Sequence, residues 1–433
     1  MDVDLILKGG IVINQDGIGV RDIAVSQGRI AGIGSGFKGA EELDCRNLHI
    51  MPGVLDSQVH FREPGLMHKE DLVTGSRAAV MGGVTAVFEM PNTNPTTTSA
   101  VALADKVSRA QNHMFCDFAF YVGGTRENVN EIPALEKLPA AAGIKVFIGS
   151  STGDLLVEDD AGLEAIISKL SRRAAFHSED EFRLRERVKY QVAGDTSSHP
   201  VWRDVEAARL CTERLIRIAR KYNKRIHVLH ISTAEELPML AANRDIATVE
   251  ATPHHLTLSA DDYAMLGTKL QMNPPVREKY HREALWAAIN SGLVDVLGSD
   301  HAPHTLEEKA KPYPASPSGM TGVQTLVPIM LNHVNEGKLS LERLVDLTSH
   351  GPQRIFNIKN KGRIAEGYDA DFTIVDLKRM ETIENKWIES RCGWTPYDGV
   401  KIQGWVVGTY VRGKRAMWQG EIAPKAFGEA VTF

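Results

Sequence analysis

Only four cysteines occur in 433 residues, at Cys45, Cys116, Cys211 and Cys392, and no two form a CxxC pair. That excludes a thiolate zinc knuckle and a dithiol redox motif. Isolated cysteines fit a reducing compartment better than a disulfide framework. No apolar run approaches the length of a membrane span. The opening residues, MDVDLILKGG, lack the basic start and apolar core of a secretory signal. The expected location is therefore cytoplasmic, with no membrane partner. Formal net charge is −5 with both signs interspersed and no basic stripe, so nucleic acid is not an expected partner. There is no internal repeat and no low-complexity tract. What remains is a chain that is 43% hydrophobic, enough for one large domain and a smaller one.

Residues 1–52 alternate short β-like runs with glycine turns: LILKGGIVIN, DIAVSQGRIAGIG, HIMPG. The C-terminal stretch has the same texture in GRIAEGYDADFTIVD and GWVVGTYVRGKRAMW. Residues 1–52 and 362–433 are therefore expected to form one small β-sandwich around a larger unit, 53–361. Strand candidates in that unit are 54–60, 84–90, 116–122, 143–148, 173–178, 225–231, 247–252 and 294–299. Helix-patterned stretches lie between most of them, at 68–81, 99–112, 158–171, 202–222 and 281–291. Alternation of this kind implies the α/β class and a (β/α)8 TIM barrel. The charged, Pro- and Ser-rich segment 304–319 reads as a mobile loop over the barrel mouth.

Chemistry-bearing residues fall at the carboxyl ends of these strands, where a TIM barrel places its active site. Residues i and i+2 of a strand share a face, so Gln58 and His60 point the same way and Arg62 extends that face into the loop. A lone histidine is more often a hydrogen-bonded core residue. His60, His177, His230 and Asp300 all at strand ends instead suggest the imidazole and carboxylate ligands of a hydrolytic zinc site. His227 and His230 are three apart, so only one enters the site. His254 and His255 end the seventh strand and are weaker candidates.

Lys145 lies among apolar residues in GIKVFIG. Either it forms a salt bridge, or it is a neutral amine that takes up carbon dioxide to give a carbamate able to bridge two cations. Such cations lower the pKa of bound water from about 15.7 toward about 7, and the hydroxide can attack a carbonyl without a nucleophilic side chain. Asp300 would bind metal and pass the proton to a leaving nitrogen.

Two motifs invite other readings. Gly34-Ser35-Gly36-Phe37-Lys38-Gly39 fits GxGxxG, but AEELDCRN follows rather than a helix, so a hairpin turn is expected. Gly149-Ser150-Ser151-Thr152-Gly153 fits a nucleophile elbow after a strand. A serine hydrolase would leave the converging His, Lys and Asp unexplained.

The segments DSQVHFREPG, MPNTNP, GIKVFIGSSTGD, HVLHIS, MNPPVRE and SDHAPH resemble the dihydroorotase family of the amidohydrolase superfamily, and the resemblance spans essentially the whole chain. It implies a cyclic amide hydrolase using zinc, one or two ions per chain. The implied metal ligands are His60, Lys145 as a carboxylated lysine, His177, His230 and Asp300, with Asp300 also the catalytic proton shuttle. Arg62, Asn92 and His304 match residues that bind the substrate carboxylate, and Asn273 one that contacts the pyrimidine ring. The implied reaction is reversible cyclisation of N-carbamoyl-L-aspartate to (S)-dihydroorotate in pyrimidine synthesis. The implied partners are further copies of the chain and aspartate transcarbamoylase.

One position departs from the family pattern. The first-strand motif is usually His-x-His, and here its first member is Gln58, a much weaker zinc ligand. Two alternatives stay open: another cyclic amidase (hydantoinase, dihydropyrimidinase or allantoinase), and a catalytically impaired homologue serving as a structural partner.

Overall fold

The computed structural model describes residues 3–14, 17–149 and 155–433. Eight parallel strands, Val54–Val59, Val84–Glu89, Asp117–Gly123, Ala141–Phe147, Ala174–His177, Ile226–Val228, Ala247–Ala251 and Val296–Leu297, lie side by side in chain order. The ring closes where Val59 pairs in parallel with His301, and the His60 N–H donates to the His301 carbonyl at 2.7 Å. Each expected barrel strand is present, and the chain forms a TIM barrel.

Every residue of the first four strands is buried, as a parallel sheet covered on both faces requires. Local sequence explains the covering helices. Helix Leu72–Met81 starts at a capping box between Asp71 and Thr74 and stops at Gly82. Helix Val205–Lys221 is capped by the Asp204 side chain and buries Ala207, Cys211, Leu215 and Ile218, one stripe at helical spacing. Among the described residues no helix is long and apolar enough to cross a membrane.

The two chain ends share a second, nine-stranded sheet. Strands Val3–Asn14, Gly17–Ser26, Arg29–Gly34, Gly39–Asp44 and His49–Pro52 meet Phe372–Thr382, Lys401–Val411, Lys414–Trp418 and Glu421–Ile422. The join is the antiparallel pairing of His49–Pro52 with Phe372–Thr382. The GxGxxG segment connects Arg29–Gly34 to Gly39–Asp44. It is not the expected hairpin, because Gly39–Asp44 pairs in parallel with Val3–Asn14 instead of folding back on its predecessor. No helix N-terminus follows it, so it has no phosphate-binding geometry. Parts of the C-terminal region leave the sheet and pack on the barrel. Trp394 Nε1 donates to the His304 carbonyl at 2.7 Å, and Val431 N donates to the Phe118 carbonyl at 2.8 Å.

A buried charge cluster ties the sheet to the base of the barrel. Asp117, Asp369 and Asp371 place carboxylate oxygens within 4.8 Å of one another, an arrangement able to hold a cation. The Lys361 ammonium already fills it, at 2.5, 2.9 and 2.8 Å from the three carboxylates. Arg412 makes a further contact with Asp117. Burial favours the neutral amine, but the three carboxylates outweigh it and raise the Lys361 pKa. Lys361→Met strands these carboxylates and is expected to cost about 3–5 kcal/mol of stability. A urea titration should show this as a lower midpoint at unchanged slope.

Candidate active site

A cavity of ≈ 400 Å³ opens at the carboxyl ends of the barrel strands. Gln58, His60, Arg62, Asn92, Lys145, His177, His230, Asn273, Asp300 and His304 all line it. Strand geometry explains most of this. His60 follows Val54–Val59, His177 ends Ala174–His177, and His230 and Asp300 lie just past their strands. Arg62, His230 and Asp300 have φ of +66°, +36° and +46°, a region that costs non-glycine residues on the order of 1–3 kcal/mol each. The surrounding packing holds the three residues that must turn inward.

The innermost pair is His177 and His230, with His177 Nδ1 3.0 Å from His230 Nε2. His177 Nε2 lies 2.7 Å from Glu179 Oε2, which accepts a hydrogen bond from Nε2–H and so leaves Nδ1 with its lone pair. Glu179 is gripped in turn by Arg203 Nη2 at 2.6 Å. Burial depresses the pKa of both histidines, keeping them neutral. His230 Nδ1 is buried without a hydrogen-bond partner. Two neutral imidazoles with converging nitrogens, one backed by a carboxylate, are a donor set suited to a divalent cation.

Lys145 completes this end of the cavity. It is buried, its Nζ lies 4.0 Å from the Phe147 ring centre, and that Nζ donates a long hydrogen bond to the Val146 carbonyl at 3.4 Å. Burial pushes its pKa down to about 7, against the opposing fields of Asp300 and Glu250. The amine is thus substantially neutral near physiological pH.

The first and eighth strands meet at Asp300. Gln58 Nε2 donates to Asp300 Oδ1 at 3.0 Å, and His60 Nε2 lies 3.2 Å from the same oxygen. His60 Nδ1 lies 2.7 Å from Asn92 Oδ1. Gln58 Oε1 is buried without a partner. Burial opposes ionisation of Asp300, but the His60 hydrogen bond and the His230 and His60 fields win and hold its carboxyl low.

At the outer wall Arg62 Nε donates to the Pro303 carbonyl at 3.2 Å, and Arg62 Nη2 lies 3.3 Å from His304 Nε2. Asn273 Oδ1 accepts from His199 Nε2 at 3.0 Å. Segment 304–319, expected as a mobile loop, lies over the mouth and is anchored there. Gln271 Nε2 donates to the Ser316 carbonyl at 2.9 Å, Gly194 N donates to the Tyr313 carbonyl at 2.7 Å, and Tyr313 is buried. Gly319 has φ +141°, and a Cβ there would sit 2.3 Å from the Ala302 carbonyl and 2.8 Å from the His304 ring. Only glycine lets the loop return this close.

The remaining histidines stay out of the cavity. His227 Nδ1 pairs with Thr248 Oγ1 at 2.9 Å, and His255 bridges Thr252 Oγ1 and the Pro274 carbonyl. Residues 150–153 of the Gly149-Ser150-Ser151-Thr152-Gly153 motif fall outside the described residues. Glu179, Arg203 and His199 support the site but were not singled out from sequence. The spacing His177-x-Glu179 was the available signal for the first; Arg203 and His199 have none.

Comparison with known proteins identifies the family. A model described as "Amidohydrolase family" matches residues 206–416, and one described as "Dihydro-orotase-like" matches residues 48–142. A dihydroorotase of Halobacterium salinarum is 37% identical over 410 residues, covering 93% of this chain and 94% of its own. An allantoinase of Solibacter usitatus is 33% identical, covering 98% and 96%. The solved L-hydantoinase (dihydropyrimidinase) of Arthrobacter aurescens matches with a TM-score of 0.96 at 29% identity over the whole of both chains. Barrel and site together define a hydrolase of the amidohydrolase type. The chain belongs to the amidohydrolase family, in its dihydroorotase-like group.

Because Glu179 orients His177, Glu179→Gln is expected to weaken divalent-cation binding by about 10–100-fold while the chain stays folded. Competition with a chromogenic chelator reads this without an activity assay.

Proposed function

We propose that this protein is a zinc-dependent dihydroorotase, interconverting N-carbamoyl-L-aspartate and (S)-dihydroorotate in pyrimidine synthesis. The observation that carries the choice over other cyclic amides is the outer wall. Arg62, Asn92 and His304 all line one cavity, and a guanidinium, an amide and an imidazole suit a carboxylate. The uncharged ring of a simple hydantoin needs no such set. The four free, buried cysteines support the cytoplasm as its compartment.

His177, His230 and Lys145 as its carbamate would hold the metal ion, with His60 and Asp300 beside it. A bound divalent cation polarises the amide carbonyl and acidifies water. Asn92 Oδ1 fixes the His60 ring from behind. Gln58 donates to Asp300 Oδ1 and His60 Nε2 faces the same oxygen, so Oδ2 is the oxygen left to move a proton between water and the ring nitrogen. Arg62 and His304 hold the substrate carboxylate, and Asn273, turned by His199, meets the ring edge. Segment 304–319 forms one wall of the cavity through Tyr313, Ser316 and Gly319.

Gln58 limits the metal count. Its amide donates to Asp300 Oδ1 and offers a much weaker ligand than the imidazole usual at this position, so one firmly held ion per chain is expected. A hydantoinase or allantoinase is the second reading, favoured by the full-length match to the Arthrobacter enzyme. A substrate panel separates the two.

Arg62→Ala is expected to cut kcat/KM for dihydroorotate by the equivalent of about 1.5–3 kcal/mol, from loss of a charge-assisted contact. Near-native turnover in this variant would remove the case against neutral cyclic amides. Metal analysis after gel filtration in metal-free buffer should find close to one ion per chain in the native protein, and more in Gln58→His. Lys145→Ala should lose both metal and activity. Two tightly held ions in the native protein would contradict the role given to Gln58.

A further inference from the structure

Three close neighbours determine where the proton of His304 sits, the Glu308 carboxylate standing farther off with Oε2 3.6 Å from Nδ1. The Lys69 ammonium is 3.1 Å from Nδ1. The Ser318 carbonyl oxygen is 3.0 Å from Nε2, and Arg62 Nη2 is 3.3 Å from the same nitrogen. An ammonium only donates, so Nδ1 must accept. A carbonyl only accepts, so Nε2 carries the hydrogen. A guanidinium also only donates, which leaves Arg62 Nη2 and His304 Nε2–H as two donors side by side with no hydrogen bond between them. Burial, reinforced by Arg62, Lys69 and Lys309, holds the His304 pKa well below the ordinary histidine value, so the ring stays neutral. The Nε2–H, which the Ser318 carbonyl accepts, and the Arg62 Nη2 are placed to share one further acceptor oxygen between them. Both residues line the cavity, whereas Lys69 stands behind His304 and does not.

We propose that Lys69 is a positioning residue for the substrate carboxylate: its ammonium holds His304 in the Nε2–H form, so that His304 and Arg62 present paired donors to one carboxylate. This rests on the dihydroorotase reading of the site. Lys69 lies just ahead of helix Leu72–Met81, and its backbone N–H donates to the Leu66 carbonyl at 3.0 Å. Its side chain is 14% exposed and also meets Glu308 Oε1 at 3.1 Å. Without Lys69, the His304 proton is free to move to Nδ1. Nε2 then turns a lone pair toward both the Ser318 carbonyl and the substrate carboxylate, and a donor becomes an acceptor. The loss falls on binding that ground state and transition state share, so it appears in KM more than in kcat. A merely structural ion pair between Lys69 and Glu308 would behave differently, because Glu308→Gln removes that pair and leaves the ammonium on His304.

The test combines nitrogen NMR on protein labelled with 15N-histidine, the His304 signals being assigned by their loss in His304→Asn, with steady-state kinetics on dihydroorotate. The native protein should show a neutral Nε2–H ring at His304. Lys69→Met should shift that ring toward the Nδ1–H form and raise KM about tenfold or more, with kcat changed by less than about threefold. Lys69→Arg, which keeps a charged donor, should retain most of both properties. Glu308→Gln should leave KM within about twofold of native. An unchanged tautomer in Lys69→Met, an unchanged KM, or a Glu308→Gln variant that reproduces the Lys69→Met defect would each overturn the proposal. Native protein inert toward dihydroorotate would instead overturn the parent reading and the substrate half of this one, while the ring's tautomer, read without substrate, still reports whether Lys69 holds His304.

Discussion

Closure of the barrel between its first and eighth strands is the interaction on which the site depends. The His60 N–H reaches the His301 carbonyl, and that single seam brings together residues about 240 positions apart in the chain. It sets Gln58 and His60 against Asp300 and Arg62 against His304. Phe61, buried between the two inward-facing residues, packs edge-on against the His301 ring at 5.7 Å. Glu70 accepts from His301 Nε2 at 3.2 Å and from Ser390, so the C-terminal region braces the seam from outside. The strained backbone at Arg62 and Asp300 persists because these neighbours leave no room to relax.

The same closure buries groups that would rather be wet, and this shifts their acidities. Burial pushes Asp56 up to about 7 and Glu250 up to about 8, while Asp300, just past the end of its strand, is held low. Carboxyl groups of one interior are thus driven apart in acidity, the pattern expected where one of them handles a proton. Lys145 shares this interior and is kept largely neutral by it. In so dry a setting each aligned dipole and each charge acts more strongly than in water. Hence the supporting pairs, Glu179 with Arg203 and Lys106 with Glu89, lie directly behind groups that face the cavity or precede them.

Much of this was legible in the order of residues, and the reasons are local. Gln58 and His60 share a face because strand side chains alternate. The same rule separates His227 from His230, and the cavity receives only His230. Strand–helix alternation pointed to the barrel because each unit buries its own apolar stripe. Where the reading missed, the cause was contact between distant segments. The GSGFKG turn was expected to close a hairpin, but the strand after it found the parallel edge of Val3–Asn14. Lys361 carried no signal, since its three carboxylates come from positions 117, 369 and 371.

The sequence by itself determined the class of fold, the strand ends that bear chemistry, and the residue types able to bind a metal and a carboxylate. These follow from stereochemistry and hydrophobic period, which act over a few residues at a time. Only the tertiary structure decided which atoms meet: that Gln58 donates to the Asp300 oxygen, that Glu179 orients His177, that Lys69 stands behind His304, and that segment 304–319 is anchored over the cavity. Such contacts depend on ångström-scale distances between segments brought together by barrel closure, and no spacing along the chain encodes them.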